Sequence, residues 1–289
     1  MVITPEQVLA EANQMGAVPP SLPKLMGLLG SENVDLCKVD TILTGEPALV
    51  AALLRRANSA AFGARVEIGT VRDAIMRLGA PTALSVMVEV CMRGRRHPPQ
   101  AIYGISAGVC WQLSIIASLV ARDLYTRTPS EFDSTVVTAA LLHDVGRIPL
   151  GTLAGEENMD KVLQFKVKNA ASLAEAESVV LGLDGCTAGA LVAAEWAFPD
   201  ILADAIGGWD NPDRADTAMA DAVHISAVLS RMVASAAGIS VMPIRPNPKA
   251  ARRLGLNKNS IAEIAASVTE QYAEVAAEAA PSELDLDAA

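Results

Sequence analysis

The pair His143-Asp144, at the end of an apolar run, is the strongest chemical signal in the sequence. Imidazole and carboxylate groups bind Zn, Fe, Mn or Mg, and a catalytic site keeps one metal position open for water. On a helix both side chains point toward apolar neighbours, and a buried charge needs a partner because its desolvation is costly. The available partners are the pair itself, Arg147 at the next turn, or a metal ion.

Few other side chains could complete a metal site around this pair. The chain has three histidines, and the other two are His97, in a proline-rich stretch, and His224, on a distant predicted helix. A metal site needs three or four ligands, and a set of Asp and Glu around one histidine has no recognisable spacing here. The residues alone favour a structural His-Asp-Arg cluster and leave a metal site as the alternative.

The elements that carry these residues are predicted to be helices. Apolar residues recur with helical spacing and nowhere sustain the alternation that is typical of strands. The segments Thr4–Gln7 and Thr70–Asp73 have the pattern of N-terminal capping boxes, and Gly79 is expected to end the second of these helices. Beyond residue 100, the spacing predicts helices at about 102–126, 133–144, 158–168, 171–181, 186–197, 199–207, 217–236 and 258–278.

Two adjacent prolines mark the predicted division of the chain into subdomains. Pro98-Pro99 cannot continue a helix, so the stretch 93–99 is expected to be a linker. We predict an N-terminal helical subdomain at residues 1–97 and a second helical subdomain at 98–280. The tail at 281–289 is acidic and rich in small residues, which predicts disorder. The expected fold class is all-α.

The charge distribution excludes bulk nucleic-acid binding for most of the chain. The formal net charge is -10. Residues 1–100 carry ten Lys and Arg against nine Asp and Glu, so the acidic excess lies in residues 101–289. This excess would repel a phosphate backbone, whereas a local basic surface stays possible in the first third of the chain.

Cysteine use and hydropathy indicate a cytoplasmic protein. The cysteines are far apart and form no C-x-x-C motif, which predicts reduced core thiols. The N-terminal residues lack the pattern of a signal peptide, so a cytoplasmic location is the default prediction. The uncharged run Pro98–Ala121 is long enough to span a bilayer. Its polar residues, with Gly104 and Gly108, favour a buried core helix instead of a membrane span.

The segment Leu141–Arg147 resembles the signature of the HD superfamily of metal-dependent phosphohydrolases. Four earlier segments are similar, in order and spacing, to the HDOD family, the HD-related output domain of bacterial signalling proteins. The resemblance covers about residues 15–230 and implies a bundle of five or six helices packed on a larger HD-like bundle. The four segments are Pro20–Leu25, Gly45–Val50, Leu54–Gly63 and Thr70–Gly79.

The resemblance also implies that the metal site of this chain is degenerate. An intact HD site uses an upstream His, the His-Asp pair and a later Asp, with further histidines in two-metal versions. The matching positions in this chain hold Leu113, Gly185, Trp209-Asp210 and Ala227, so only the His143-Asp144 pair remains. Two ligands cannot hold a hydrolytic metal. We therefore expect no metal, no other cofactor and no catalytic residue.

Two groups of residues are candidates for a ligand or partner surface. Arg55 and Arg56 belong to a set of five arginines between residues 55 and 77, which could offer a basic face to a phosphate or an acidic partner. Solvated helix faces are the simpler interpretation of these charges. Asn58-Ser59 is expected to tie the end of this helix to the neighbouring turn. Trp209 follows two glycines and is expected to be partly exposed, which would suit binding.

The function implied by the resemblance is a non-catalytic bacterial regulator that relays a signal through contacts with signalling proteins. Rearrangement of helices would carry the state of such a module. The alternative from the enzyme class is a metal-dependent phosphohydrolase that acts on a nucleotide or a phosphate ester. It would need Asp184, Asp204 or Asp210 to replace the missing histidines. A third hypothesis is a small-ligand sensor that holds a cyclic dinucleotide near Arg55–Arg77.

Overall fold

The computed structural model describes residues 2–14, 19–30, 34–59, 62, 68–93, 103–128 and 132–279. Within these ranges the chain forms α-helices and no strand, so the predicted all-α fold class is confirmed. The helices, in chain order, are α1 Pro5–Gln14, α2 Ser21–Leu29, α3 Leu36–Leu43, α4 Pro47–Ala57, α5 Val71–Leu78, α6 Ala80–Arg93, α7 Ala107–Arg127, α8 Val136–Leu142, α9 Arg147–Asn169, α10 Leu173–Leu181, α11 Gly185–Glu195, α12 Asp200–Gly208, α13 Pro212–Ala215, α14 Ala218–Ala236, α15 Pro248–Arg253 and α16 Lys258–Ala279.

The predicted capping box is complete at Thr4, whereas at Thr70 only one of the two bonds of the box forms, the one to the helix-capping side chain. At the start of α1, the Thr4 amide donates to Gln7 Oε1 over 3.0 Å, and the Gln7 amide donates back to Thr4 Oγ1. Before α5, Thr70 Oγ1 accepts from the Asp73 amide over 3.1 Å. Gly79 ends α5 at a φ of 74°, a left-handed conformation that favours glycine. Local polar pairs therefore fix these helix ends.

The first group of helices packs around α6. Helix α4 contacts α5 and α6, and α2 contacts α3 and α6. Their buried faces carry apolar residues at helical spacing, such as Leu49 and Leu53 of α4 and Ala74 and Leu78 of α5. Helix α6 also contacts α7 and α8, so it connects this group to the rest of the molecule.

The second group is built on α14, which is buried along nearly all of its length. Helix α7 packs against α8, α14 and α16, while α12 packs against α8, α11 and α14. Helix α1 packs against α9 and α11 of this group, and the Ile3 amide donates to the Leu181 carbonyl over 2.7 Å. This arrangement places the end of α8, with His143, between α7, α12 and α14.

Three expectations about the elements need correction or fall outside the description. Helix α9 begins at Arg147 and not near 158, because Pro149 lies in its first turn, where no amide donor is needed. Gly155, at a φ of 69°, is a kink between two helical segments, so the second segment begins close to the predicted start near 158 and the first segment was missed. The short helices α13 and α15 were not predicted. Most of the linker at 93–99 and the whole tail at 281–289 lie outside the described residues.

The cysteines and the apolar helices test two further expectations. Cys37 is exposed, so the prediction that all four cysteines are core thiols is wrong at this position, where the sulfur accepts from Arg72 over 3.4 Å. The apolar run ending at Ala121 forms part of α7 and contributes buried residues such as Ile116. Among the described residues, no single helix has the length and apolarity to cross a membrane, although two sharply bent helix pairs satisfy these criteria jointly.

Candidate functional site

The candidate site lies at the turn between α8 and α9. Residues His143–Gly146 connect the two helices, and the turn is closed by backbone hydrogen bonds from Val145 to Leu142 and from Arg147 to Asp144. Only a glycine fits at position 146, because a Cβ there would collide with the backbone of Gly185 and Gly189 on α11. The close approach of α11 holds the turn, and it directs His143 inward.

His143 is buried and fully engaged in hydrogen bonds. Its Nδ1 lies 2.7 Å from the Ala140 carbonyl, so Nδ1 carries the proton and donates to that oxygen. The other nitrogen, Nε2, lies 3.2 Å from Arg231 Nη1 and 3.2 Å from Asp144 Oδ2. Trp209 packs edge-on against the imidazole, with ring centroids 5.0 Å apart. Both ring nitrogens therefore have partners within the protein.

Asp144 lies between two guanidinium groups. Arg147 Nη1 donates to Oδ1, and Arg231 Nη2 donates to Oδ2 over 2.6 Å. Burial on its own would raise the pKa of Asp144, but His143 and the two arginines overcome this effect and hold the pKa well below its usual range. The predicted tie between Asp144 and Arg147 is confirmed. Arg231 was not predicted.

Glu177 is the second carboxylate of the cluster and is fully buried on α10. Its Oε1 accepts from Arg147 Nε over 3.2 Å, and its Oε2 accepts from the Gly185 amide over 2.7 Å. Burial raises the pKa of Glu177, and Arg147 and the Gly185 amide counteract only part of this effect. Arg147 thus bridges two acidic residues, Asp144 on the turn and Glu177 on α10.

The aromatic residue of the cluster is Trp209, at the end of α12. The Arg147 guanidinium lies 4.8 Å from the centre of the Trp209 ring. The indole N–H of Trp209 donates to the His143 carbonyl over 2.7 Å. The expectation that Trp209 is partly exposed is wrong, because the residue is 0% exposed. A buried indole offers no surface to a partner, so the position of Trp209 does not support a role in binding.

The space that an additional metal ligand would occupy at position 185 is filled by Arg147. A Cβ on Gly185 would overlap Cγ of Arg147, so no histidine fits there while the arginine holds its present place. At Ala227, where the family pattern has Asp, the carbonyl accepts from Arg231 Nη1 over 3.0 Å. Leu113 is buried in the core. Gly185 thus makes room for Arg147, and Arg231 contacts the backbone of Ala227.

The carboxylates that could replace the missing histidines have other partners or lie elsewhere. Asp184 caps α11 and accepts from the amides of Cys186 and Thr187 over 3.0 and 2.9 Å. Asp210 accepts from the Ala174 amide over 3.2 Å, and Asp204 is exposed on α12. Across the described ranges, no three His, Cys, Asp or Glu side chains are grouped as metal ligands. The residues present do not fit a metal ion.

His224 lies behind the cluster and has a structural role. Its Nδ1 donates to the Trp209 carbonyl over 2.9 Å, and its Nε2 accepts from the Asn247 amide over 3.0 Å. Burial lowers the pKa of His224, so this imidazole is neutral at pH 7. The contact ties the segment after α14 to the end of α12.

The arginines predicted as a surface do not join the His143 cluster. Arg56 pairs with Glu89 over 3.3 Å, Arg55 is exposed on α4, and Arg65 lies outside the described residues. Asn58 exchanges two hydrogen bonds with the Ile68 backbone, over 2.9 and 2.7 Å, which confirms the expected tie to the neighbouring turn. The prediction of a ligand or partner surface at Arg55, Arg56, Asn58 and Ser59 stays a prediction.

A cavity of about 560 Å³ lies directly beside the cluster. Asp144, Arg147 and Arg231 form part of its wall, together with apolar residues of α7 and α8. The segment 242–248, which follows α14, also lines the cavity. The ionic cluster is therefore accessible from a space large enough for a small molecule.

The fold is shared with solved bacterial structures. A candidate phosphohydrolase from Shewanella amazonensis SB2B has a TM-score of 0.66 and 21% identity, covering 93% of this chain and 96% of that one. An HDOD domain protein of unknown function from Geobacter sulfurreducens has a TM-score of 0.65 and 20% identity, covering 92% and 98%. A candidate signal transduction protein from Marinobacter aquaeolei VT8 has a TM-score of 0.71 and 18% identity, covering 94% and 64%. These likenesses show the fold alone.

The sequence comparisons identify the family. No curated protein sequence matches the chain. The family model of the HDOD domain matches residues 15–212, which is more than half of the chain and includes the His143-Asp144 turn. The chain therefore belongs to the HDOD domain family.

Proposed function

We propose that this chain is a non-catalytic signal-transduction module of the bacterial cytoplasm that acts by binding other proteins. The observation that carries the proposal is the pairing of Asp144 with two guanidinium groups. Its Oδ1 accepts from Arg147 and its Oδ2 from Arg231, while His143 Nε2 also faces Arg231. The donor atoms that an HD enzyme gives to its metal are here used to bind arginine.

Electrostatics opposes a divalent cation at this place. A metal bound to Asp144 would lie close to both guanidinium groups, and like charges repel strongly where the surroundings are buried. Displacing either arginine would leave its charge buried without its partner, which costs several kcal/mol. The cluster is thus stable as an ion-pair network and does not need a metal to neutralise its carboxylates.

The connection of the cluster to the rest of the fold supports a relay through helix movement. His143 follows the last residue of α8, α8 contacts α6, and α6 contacts α4, which carries Arg55 and Arg56 near its end. A shift of the turn could reach the α4 surface along these packed helices. We propose that a signalling protein binds at this surface.

Metal analysis of the purified protein tests the non-catalytic assignment. After incubation with Mn²⁺, Fe²⁺ or Zn²⁺ and dialysis, wild type is expected to retain much less than one equivalent, and to leave bis-p-nitrophenyl phosphate intact. His143→Ala is expected to lower the free energy of unfolding, because it removes the bonds to Ala140 and Arg231. One equivalent of metal that is lost in His143→Ala, together with hydrolysis, would show that the site is catalytic.

A pull-down from the native host tests the proposed partner surface. Wild type is expected to retain a protein that the Arg55→Ala/Arg56→Ala variant loses, since both arginines lie near the end of α4. The matched control is Lys161→Ala/Lys168→Ala, which removes two exposed cations from α9. The melting temperatures of the variants show whether each is folded. Equal capture by wild type and by the arginine variant would contradict this surface.

A further inference from the structure

The cavity beside the ion-pair cluster is apolar over much of its wall. It has a volume of about 560 Å³, within the range of about 300–1,000 Å³ that is typical of small-molecule sites. Its apolar lining comes from the start of α7 and the residues before it, the end of α8, the start of α10 and the segment after α14. It includes Ile105, Trp111, Leu142, Leu173, Met242 and Ile244. A ligand for this space therefore needs an apolar body.

The charged groups of the same wall have a positive balance. Four cations line the cavity, Arg147, Lys166, Arg231 and Arg245, whereas the lining carboxylates are Asp144 and Asp210. The buried Glu177 behind the wall is bound to Arg147 and cancels only one further charge. The surplus is notable because the whole chain has a formal net charge of -10. An anion would be attracted to this cavity more than to the rest of the surface.

The cations at the mouth of the cavity lie together at the end of α9. Lys166 is in the last turn of α9, and Arg245 donates from Nη2 to the carbonyl of Ala170, the residue that caps this helix. Among the described residues, neither cation has a carboxylate within ion-pair distance. Deeper in the site, Nη2 of Arg147 is buried without a hydrogen-bond partner. Positive groups with unused donors therefore lie both at the mouth and at the inner wall.

We propose that this cavity binds an anionic amphiphile, a small molecule with one carboxylate or phosphate group on an apolar body. The anionic group lies at Lys166 and Arg245, and the apolar body extends toward Trp111 and Leu142. This binding site goes beyond the proposed function, because it supplies the module with a chemical input next to the turn that carries His143. Binding there requires no metal and no reaction.

Titration calorimetry with four probes of one chain length tests the binding site. In buffer with a chelator, decanoate or decyl phosphate is expected to bind wild type near one equivalent, and the tighter of the two identifies the preferred anion. Decanol and decyltrimethylammonium have the same apolar chain without the negative charge, and they are expected to bind at least about tenfold more weakly. Absence of binding by both anions, or equal binding of decanol, would overturn the proposal.

Variants locate the anionic group. Lys166→Ala/Arg245→Ala is expected to weaken decanoate or decyl phosphate about tenfold and to leave decanol unchanged. Lys168→Ala is the matched control, because it removes an exposed cation two residues away on α9 that does not line the cavity. Ser114→Phe places an aromatic ring on the wall of the cavity and is expected to weaken binding of the anions. Unchanged anion binding in the double variant, with its melting temperature retained, would refute the assignment of these cations.

The metal analysis and the titration calorimetry can contradict their two proposals independently of each other. The titration is carried out in chelator, so its outcome says nothing about the metal content of the protein. A stoichiometric metal in the separate analysis would overturn the non-catalytic function without affecting the ligand result.

Discussion

Replacing Arg147 with methionine is expected to lower the free energy of unfolding by about 4 kcal/mol, because removing one partner of a buried ion pair leaves an uncompensated charge. Arg147 binds Asp144 through Nη1 and Glu177 through Nε, and its side chain is 7% exposed. Methionine fills a similar volume but supplies no donor. The fully buried Glu177 then loses its cation and keeps the Gly185 amide as a donor. Urea denaturation at pH 7 measures the change.

The pH dependence of this variant follows from Glu177. Burial raises the pKa of this carboxyl already in wild type, and without Arg147 its pKa rises further. A group whose pKa is raised on folding contributes stability below its unfolded pKa and loses that contribution as the pH rises through the folded pKa. The difference between wild type and Arg147→Met is therefore expected to be larger at pH 8 than at pH 5.

Two controls separate the charge effect from simple loss of packing. Adding Glu177→Gln to Arg147→Met removes the unpaired charge and keeps an oxygen for the Gly185 amide, so part of the lost stability is expected to return. Lys161→Met removes a cation from an exposed pair with Glu157 on the same helix and is expected to change stability little. A loss in Arg147→Met no larger than in Lys161→Met would contradict the buried-network interpretation.

Local patterns predicted the helices and one contact of the cluster. The capping bonds at Thr4 and Thr70 act within three residues, and Arg147 lies three residues after Asp144, so both kinds of contact are visible in a short window of sequence. The segment of α9 before the kink at Gly155 was missed because it contains Pro149 and Gly151, residues that are typical of helix ends. The structure shows that proline in the first turn marks a start.

Long-range contacts were not predictable from the same patterns. Arg231 is 87 residues from Asp144 and Glu177 is 30 residues from Arg147, and nothing in either local segment indicates that they meet. One signal was available for Arg231. It lies four residues after Ala227, the position that matches the family's last metal ligand, so it faces the same side of α14. An arginine one turn from a lost acidic ligand is a pattern that could identify such sites in related sequences.

Burial explains why the expectation for Trp209 was wrong. The residue follows Gly207 and Gly208, which usually indicate a loop, but both glycines belong to α12. Glycine is needed at position 208 because α12 packs closely against α13, and a Cβ on Gly208 would collide with Ala215. The glycines therefore allow a tight approach and not an exposed turn, and the tight approach places Trp209 beneath His143.

Trp209→Ala is expected to cost about 4 kcal/mol of stability, since truncating a buried tryptophan leaves a large cavity. The ring fills the space between His143, Arg147 and Arg231, with the two guanidinium carbons 4.8 and 6.0 Å from its centre. Trp209→Phe keeps an aromatic face but loses the hydrogen bond to the His143 carbonyl, so a smaller loss of about 1–2 kcal/mol is expected. Urea denaturation measures both losses.

Trp111→Ala is the matched comparison, because Trp111 is half-buried and lines the cavity instead of filling the core. If Trp209 only took the place of lost metal ligands without stabilising the fold, Trp209→Ala and Trp111→Ala would lower the free energy of unfolding by similar amounts. A much larger loss in Trp209→Ala means that the position which matches a histidine pair in the family pattern has become a packing centre for arginine. In that case the His143-Asp144 turn is maintained by ion pairs and an aromatic ring.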